Sequence, residues 1–225
     1  MKLSIIIPVY NEAGTVLSLI EKVERSDIGD IQKELIIVDD FSKDGTRKLL
    51  EQVNHKVIFH EKNKGKGAAV RTGLSHATGD IILIQDADLE YDPDEYSSIL
   101  KPIIDKETQV VYGSRFLRKH KAKYQIYYLG NIFLSFVTRI LYFRNITDME
   151  TCYKVFTKEV AQNLSLKAER FDLEPEITAK IIKKGYKIIE VPISYQCRDF
   201  KEGKKISWKD GVKAIWYLLK YRFVD

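Results

Sequence analysis

Short apolar runs alternate with amphipathic stretches along the first half of the chain. Runs rich in Ile, Val and Leu predict buried strands at residues 3–9, 34–38, 56–59, 81–84 and 110–112. Apolar positions at helical spacing predict helices that begin near Val16, Thr46, Gly65 and Pro93, the second of them extending to Val53. Because strands and helices alternate, the pattern predicts an α/β fold with a doubly wound, mostly parallel sheet and right-handed crossovers.

After residue 114 this alternation stops. Residues 126–143 are long, aromatic and apolar, with Arg139 among them. A membrane-spanning helix needs ~20 apolar residues and disfavours a central arginine, so an amphipathic helix is predicted instead. It either packs on the core or lies in a membrane interface. Tyrosines at both ends, with Lys121 and Lys123 before it and Arg144 after it, favour the interface.

The remaining pattern predicts a helix at 174–184, a strand at 186–191 and a closing amphipathic helix at 209–221. The 225 residues suffice for one domain that buries about 70% of its unfolded surface. Cys152 and Cys197 lack the spacing of a zinc site or a disulfide framework, which favours a reducing compartment. The first apolar run is interrupted too early, at Pro8, for a signal peptide. We therefore expect a cytoplasmic protein.

The net charge of +5 is unevenly distributed. Basic residues cluster at 115–123 and again at 198–209, which points to anionic partners such as phosphates, lipid headgroups or nucleic acid. Each cluster taken alone is equally typical of a solvated loop. A nucleic-acid partner is not expected, because no basic helix or aromatic platform motif is present.

Three acidic residues follow the predicted strand at 81–84. Asp86, Asp88 and Glu90 would share one face if the chain remained extended, so their carboxylates would converge. Like charges at such a distance are commonly shared by a cation, and carboxylate oxygens favour Mg²⁺ or Mn²⁺ over zinc. The alternative is an acidic turn in water. The position at the carboxyl end of a buried strand favours a metal site, because open α/β sheets bind ligands there.

Two further polar motifs follow other strands at the same predicted edge. The segment PVYNE follows the first strand, and Asp39 and Asp40 end the second. A glycine-rich loop at 64–67 adjoins them, and together they predict a nucleotide cleft. Gly65 and Gly67 would let backbone N–H groups approach phosphate, while Lys66 supplies positive charge. The spacing is neither that of a P-loop nor that of the dinucleotide fingerprint.

Eight ordered motifs resemble one known family. They read IPVYNE, VDDFSKDGT, NKGKGAAVRTG, QDADLE, YGSR, TDMETCYKVF, FDLEPEIT and EVPISYQCR followed by GKKI. Over residues 5–206 the chain resembles the inverting family 2 glycosyltransferases, in the branch of dolichyl-phosphate mannose synthase and related polyprenyl-phosphate glycosyltransferases. The resemblance implies a GT-A-like nucleotide-diphospho-sugar transferase fold with C-terminal amphipathic helices. It also implies one domain over 1–225, with residues 1–114 binding the nucleotide-sugar and 115–225 binding the acceptor through interfacial helices.

The resemblance implies roles for the matching residues. The base and ribose of the donor would contact Pro8, Tyr10, Glu12, Asp39 and Asp40. Asp86, Asp88 and Glu90 would hold the metal on its diphosphate, although mannose synthases often have Gln in place of Glu90. The acceptor phosphate and the leaving diphosphate would meet Arg115, and Arg198 with Lys204 or Lys205. Where mannose synthases usually carry Arg and Ser before Gly130, this chain has Tyr128 and Leu129, and Lys121 or Lys123 could substitute.

These roles predict a metal-dependent glycosyltransferase. It would move a mannose- or glucose-type sugar from a GDP- or UDP-sugar to a polyprenyl or dolichyl phosphate, as a peripheral protein at the cytosolic face of a membrane. A phosphate acceptor is already ionised at neutral pH and needs no strong base. A hydroxyl acceptor, the first alternative, would need one, and Asp148 is then either that base or a loop carboxylate. Glu174 and Glu176 either orient the acceptor loop or begin a helix. The second alternative is a non-catalytic nucleotide-sugar-binding protein recruited to membranes.

Overall fold

The computed structural model describes residues 1–118, 124–198 and 208–224. Seven strands lie within these ranges: β1 Lys2–Val9, β2 Gln32–Asp39, β3 Lys56–Phe59, β4 Ile81–Ile84, β5 Val110–Ser114, β6 Lys154–Thr157 and β7 Ile188–Pro192. The helices are α1 Val16–Arg25, α2 Thr46–Leu50, α3 Lys66–His76, α4 Tyr96–Ile104, α5 Gln125–Tyr142, α6 Lys158–Asn163, α7 Leu173–Lys183 and α8 Trp208–Phe223. A 3₁₀ turn at Pro93–Glu95 precedes α4.

The strands form one sheet in the order β3-β2-β1-β4-β6-β5-β7. Pairing is parallel everywhere except at β6, which runs antiparallel to both β4 and β5. The predicted mostly parallel α/β sheet is therefore confirmed. The pattern missed β6 and α6, and it made α2 too long, since that helix ends at Leu50 rather than near Val53.

The core is built around β1, whose residues 3–9 are all buried. The apolar stripe of α1, formed by Val16, Leu19, Ile20 and Val23, packs into the same cluster. Helix α3 approaches β1 so closely that a Cβ on Gly73 would lie 2.4 Å from Ile6 Cγ2. The absence of a side chain at Gly73 thus lets α3 pack directly on β1.

A second apolar cluster joins α5, α7 and α8. Leu134 and Tyr142 of α5 are buried in it, and the Tyr142 hydroxyl donates a 2.7 Å hydrogen bond to the Leu218 carbonyl. The opposite face of α5 is apolar and exposed: Ile126 is 77% exposed and Phe133 is 54% exposed. Helix α5 therefore packs on the protein with one face and leaves the other uncovered by the described residues. No helix in the described ranges has the length and apolar character needed to cross a bilayer.

Candidate active site

A pocket of about 410 Å³ lies at the carboxyl ends of β1, β2 and β4. The predicted site residues that line it are Pro8, Tyr10, Glu12, Asp40, Lys66, Asp86, Asp88, Glu90, Arg115 and Arg198. The parallel strands explain this convergence, since their carboxyl ends meet at one edge of the sheet. Asp39 and Asp148 do not line the pocket, and Lys121, Lys123, Lys204 and Lys205 lie outside the described residues.

The acidic segment after β4 is a turn, with Leu89 at φ +61°. The extended geometry expected for Asp86, Asp88 and Glu90 is therefore wrong. The turn nevertheless brings all three to the pocket wall, and the Glu90 amide donates to Asp88 Oδ1 at 3.2 Å.

Each of these carboxylates contacts a donor from a distant part of the chain. Lys66 Nζ lies 2.9 Å from Asp86 Oδ1, and Arg198 Nη2 lies 3.0 Å from Asp88 Oδ2. Glu90 accepts from the Arg198 amide at 2.8 Å and from the Tyr195 hydroxyl at 2.6 Å. Arg198 also contacts Glu12 Oε2 at 2.9 Å. The two cations thus balance part of the acidic charge of the pocket.

Within the described ranges, no three Asp, Glu, His or Cys side chains are grouped so that they could hold a metal ion. Asp86 and Asp88 still suit Mg²⁺ or Mn²⁺, because Mg²⁺ is often held by one or two carboxylates together with substrate phosphates. The repulsion among the neighbouring carboxylates also favours a cation at this place. Burial, and then the neighbouring carboxylates of Asp86 and Glu90, raise the pKa of Asp88 to about 7, against the opposing effect of Arg198.

The glycine-rich loop is fixed in place by Asp40 and by close packing. Asp40 fixes the loop, because its carboxylate accepts from the Lys64 amide at 2.8 Å and from the Gly65 amide at 2.7 Å. A Cβ on Gly65, whose φ is +93°, would lie 2.3 Å from the Glu169 carbonyl oxygen, and one on Gly67 would lie 2.7 Å from that of Ala168. The glycines are therefore required by close packing against residues 168–169, and the Gly65 N–H is already bonded.

Asp39 is fully buried and is not among the residues that line the pocket. Its Oδ2 accepts from the Ser42 amide at 3.2 Å and lies 3.6 Å from Arg47 Nε. Its Oδ1 has no hydrogen-bond partner in the described part of the chain. The contact with Ser42 shows that Asp39 supports the turn after β2; the nucleoside contact implied by the resemblance stays a prediction.

Arg115 and Asp148 form a buried bidentate pair. Arg115 Nε and Nη2 each lie 2.7 Å from an Asp148 oxygen, and the Arg115 amide donates to the same carboxylate at 3.0 Å. Burial opposes the charge on Arg115, but the Asp148 carboxylate more than offsets this and raises the pKa of the guanidinium above its usual value. Both Asp148 oxygens are thus engaged in orienting Arg115, the member of the pair that reaches the pocket.

Two further acidic residues line the pocket: Glu174, which was expected either to orient the acceptor loop or to begin a helix, and Glu150, which was not predicted. Glu174, in the first turn of α7, contacts Lys66 Nζ at 3.0 Å and links that lysine to Asp86. Glu150 lies two residues beyond Asp148 and lines the same pocket. Burial, followed by the Glu174 carboxylate, raises the pKa of Glu150 to about 7. The acidic first turn of α7 was visible in the sequence, whereas nothing in the TDMET segment distinguished Glu150 from a loop residue.

Comparisons with known proteins agree with this geometry. A family model described as glycosyl transferase family 2 matches residues 4–165. A UDP-N-acetylglucosamine–dolichyl-phosphate N-acetylglucosaminyltransferase of Methanococcus voltae is 31% identical over 239 aligned residues, covering 96% of this chain and 94% of the relative. A dolichol-phosphate mannosyltransferase of Pyrococcus furiosus is 30% identical, covering 91% of this chain and 59% of its own length.

The fold also matches a solved structure. Glucosyl-3-phosphoglycerate synthase from Mycobacterium tuberculosis, crystallised with Mn²⁺, UDP and glucosyl-3-phosphoglycerate, superposes with a TM-score of 0.76 at 18% identity, over 100% of this chain and 81% of that one. This likeness shows a GT-A nucleotide-sugar transferase fold.

Proposed function

Because this chain belongs to glycosyl transferase family 2 and is a glycosyltransferase, we propose that it moves one hexose from a UDP- or GDP-linked donor to a polyprenyl phosphate such as dolichyl phosphate. The observation that carries the proposal is that Asp86, Asp88 and the buried cation of Arg115 line the same pocket. Acidic oxygens suit a metal on a diphosphate, and a fixed guanidinium suits a second phosphate. The names of the relatives from M. voltae and P. furiosus support a dolichyl-phosphate acceptor.

The donor would lie along the first half of the chain. Pro8, Tyr10, Glu12 and Asp40 line the end of the pocket proposed for the base and ribose, and the buried Asp39 precedes Asp40 in the chain. Residues 1–114 then form the donor half of one domain and residues 115–225 the acceptor half.

Asp86 and Asp88 would hold Mg²⁺ or Mn²⁺ with the donor diphosphate, while Glu90 is engaged by Arg198 and Tyr195. A bound divalent ion supplies charge neutralisation for the leaving diphosphate. Lys66 and Arg198 are the cations that the chain itself places at these carboxylates. They would help to stabilise the negative charge that grows on the leaving group.

The acceptor phosphate would contact Arg115. An oxygen of the acceptor phosphate attacks the anomeric carbon as the bond from that carbon to the diphosphate oxygen breaks. The nucleoside diphosphate then leaves with the electron pair. An ionised phosphate needs no general base. This agrees with the position of Asp148, whose carboxylate is buried on Arg115 and does not line the pocket. A hydroxyl acceptor that relied on Asp148 is correspondingly less well supported.

The proposed location is the cytosolic face of a membrane. Both cysteines are free, as expected for a reducing compartment. The exposed apolar side chains of α5 and α8 would provide peripheral attachment next to the lipid acceptor.

The direct test is an assay with purified protein and Mn²⁺ or Mg²⁺. Labelled UDP-glucose, UDP-N-acetylglucosamine and GDP-mannose are each offered with dolichyl phosphate, with unphosphorylated dolichol or with a soluble sugar. We expect labelled lipid from one donor with dolichyl phosphate and none with dolichol. Product from dolichol or the soluble sugar alone would establish the hydroxyl-acceptor alternative, and donor binding without any product would establish the non-catalytic one.

Asp88→Ala should lower the rate of this assay by ~10²–10³-fold, because it removes a carboxylate of the proposed metal site. Asp94→Ala is the matched control: Asp94 is exposed, belongs to the same segment and does not line the pocket. Equal rates for the two variants would contradict the role of Asp88.

A further inference from the structure

Glu150 differs from the other acidic side chains of the pocket. The others, which are Glu12, Asp40, Asp86, Asp88, Glu90 and Glu174, each contact a donor of the protein within 3.0 Å. Glu150 lines the same pocket, but it forms no hydrogen bond or ion pair with any residue in the described ranges, and its Oε1 is buried. A carboxylate in such a place lacks the donors that buried polar groups ordinarily have.

Neighbouring residues in the described ranges fix the backbone on either side of Glu150 but donate no hydrogen bond to its carboxylate. Lys154, buried at the start of β6, donates to the Met149 carbonyl at 2.9 Å and to the Thr151 carbonyl at 2.5 Å, on either side of Glu150. The lysine therefore fixes the backbone of the turn, and its ammonium is committed to those carbonyls. The charged groups that act on Glu150 are Glu174, Lys154, Arg115 and Asp148.

These neighbours place Glu150 near the proposed point of transfer. Glu174 is joined through Lys66 to Asp86, on the side proposed for the donor diphosphate. Arg115 is on the side proposed for the acceptor phosphate. Glu150 lines the same pocket as Glu174 and Arg115, and so borders the cavity that contains both proposed phosphate sites.

The charges of the substrate groups indicate which of them Glu150 would bind. The diphosphate and the acceptor phosphate are anions and would be repelled by a carboxylate. The transferred sugar is neutral and rich in O–H donors, and it would occupy the space between those two anions. We propose that Glu150 recognises the donor sugar by accepting a hydrogen bond from one of its hydroxyl or amide groups. This inference rests on the proposed function, since it assumes a nucleotide-sugar donor.

The raised pKa of Glu150 is consistent with this role. A carboxylate with no protein donor is stabilised when a sugar O–H donates to it, whereas an ionised Glu150 in the empty pocket has no such partner.

The test compares binding of a nucleotide-sugar with binding of the nucleoside diphosphate alone. Titration calorimetry with Mn²⁺ would use UDP and UDP-glucose, UDP and UDP-N-acetylglucosamine, and GDP and GDP-mannose. With the pair that the wild type prefers, Glu150→Gln and Glu150→Ala should weaken nucleotide-sugar binding by about 10- to 100-fold, the range for a lost hydrogen bond to a charged group. Binding of the nucleoside diphosphate alone should change by less than about 2-fold, because Glu150 does not reach that part of the donor.

Glu159→Gln is the control, an identical change at an exposed glutamate outside the pocket. If Glu150→Gln weakens binding of the nucleoside diphosphate and of the nucleotide-sugar equally, the role of Glu150 is merely structural and the inference is overturned. The inference is also overturned if neither affinity changes. Deoxy analogues of the preferred donor provide a second measurement: the analogue that lacks the recognised hydroxyl should bind wild type and Glu150→Gln equally. If the wild type binds none of the nucleotide-sugars, the proposed function itself fails. If the wild type binds one of them and Glu150→Gln changes neither affinity, only the inference about Glu150 fails.

Discussion

At the scale of single residues, Arg115 depends on Asp148 for its position and its charge. The pair is buried and bidentate, and the Arg115 guanidinium also lies over the Tyr195 ring at 5.0 Å. Removing one partner of a buried pair leaves the other charge without compensation, which costs far more than the pair contributes. Asp148 is thus a positioning residue in the proposed reaction.

We predict that Asp148→Ala lowers the free energy of unfolding by about 3–5 kcal/mol, because Arg115 is then buried without a counter-charge. Equilibrium urea unfolding followed by circular dichroism measures the change. Asp105→Ala is the control, since Asp105 is exposed and pairs with the exposed Lys101 on the surface, where ion pairs contribute little. A loss for Asp148→Ala as small as that for the control would contradict the buried-pair description.

Glu150 gives a prediction for the pH dependence of stability. Burial and the Glu174 carboxylate raise its pKa from an ordinary value of 4.5 to about 7, against the pull of Lys154 and Arg115 and with a further rise from Asp148. A raised pKa means that the folded state binds the proton more tightly. The stability from this proton is therefore fully present below pH 4.5 and is lost as the pH rises through about 7.

Glu150→Gln removes that titration. Between pH 5 and pH 8 the free energy of unfolding of the wild type should fall relative to Glu150→Gln, by roughly 1–3 kcal/mol. Urea unfolding at several pH values measures the difference. A difference that is constant with pH would show that Glu150 does not carry a raised pKa in the folded protein.

At the scale of elements, the sequence pattern predicted the central parallel strands because they contain dense apolar runs such as residues 81–84, which are buried on both faces. It missed β6 because only Val155 and Phe156 of that strand are apolar, and two consecutive apolar residues are too short a run to indicate a strand. Lys154 is buried only because two carbonyls of the preceding loop accept its hydrogens, which no local pattern reveals. The predicted topology also indicated which polar loops lie together, because the carboxyl ends of parallel strands are at the same edge of the sheet.

The pairings inside the site were beyond such reasoning. Lys66 meets Asp86 and Glu174, and Arg198 meets Asp88, across long separations in the sequence. Which cation meets which carboxylate depends on the loops that follow the strands, and in particular on a turn at Asp88 that was expected to be extended. The pattern could therefore name residues of the pocket but not their partners.

The loop at the start of α3 shows how one element depends on another. Glu176 of α7 accepts from the backbone amides of Lys167 at 2.9 Å and Ala168 at 2.6 Å, which fixes the segment that packs against Gly65 and Gly67. Helix α7 thereby positions the glycine-rich loop, and with it Lys66.

We predict that Gly65→Ala destabilises the protein by about 2–4 kcal/mol, because it combines a positive φ with a Cβ 2.3 Å from a carbonyl oxygen. Gly130→Ala is the contrasting variant. Gly130 lies inside α5 with no atom within 4 Å of an added Cβ, so Gly130→Ala should stabilise the protein by roughly 0.5–1 kcal/mol. Thermal unfolding of the two variants measures both changes. Equal effects would show that residues 168–169 do not press on the loop.

At the scale of the whole molecule, exposed apolar side chains are concentrated on two helices that pack together. Helix α5 exposes Phe133 and Phe136, Phe143 is exposed directly after it, and α8 exposes Trp216 and Phe223, the last being 80% exposed. Their other faces pack into the same buried cluster, so the two helices are neighbours in the fold. Large exposed apolar patches of this kind mark sites of interaction with membranes or proteins.

The charge of the molecule favours a membrane. The net charge is +5, and Arg139, Lys213 and Lys220 are exposed on these same two helices. Aromatic side chains beside basic ones are typical of helices that lie in the headgroup region of anionic bilayers. The lipid acceptor proposed above would be reached from the same surface.

We therefore predict that the protein floats with liposomes containing anionic lipids at low salt, and that high salt weakens this binding without abolishing it, since screening removes the attraction of charges but not the burial of aromatic rings. Each fully buried aromatic side chain contributes about 1.5–3 kcal/mol, so Phe136→Glu and Trp216→Glu should each lower the partition coefficient by at least ~10-fold. Leu17→Glu is the matched control, because Leu17 is also exposed, at 44%, but lies on α1 outside this surface. A protein that fails to float at either salt concentration, or that loses binding equally in all three variants, would show that α5 and α8 are not the membrane contact. In that case the lipid phosphate would have to reach Arg115 without attachment of the enzyme to the bilayer.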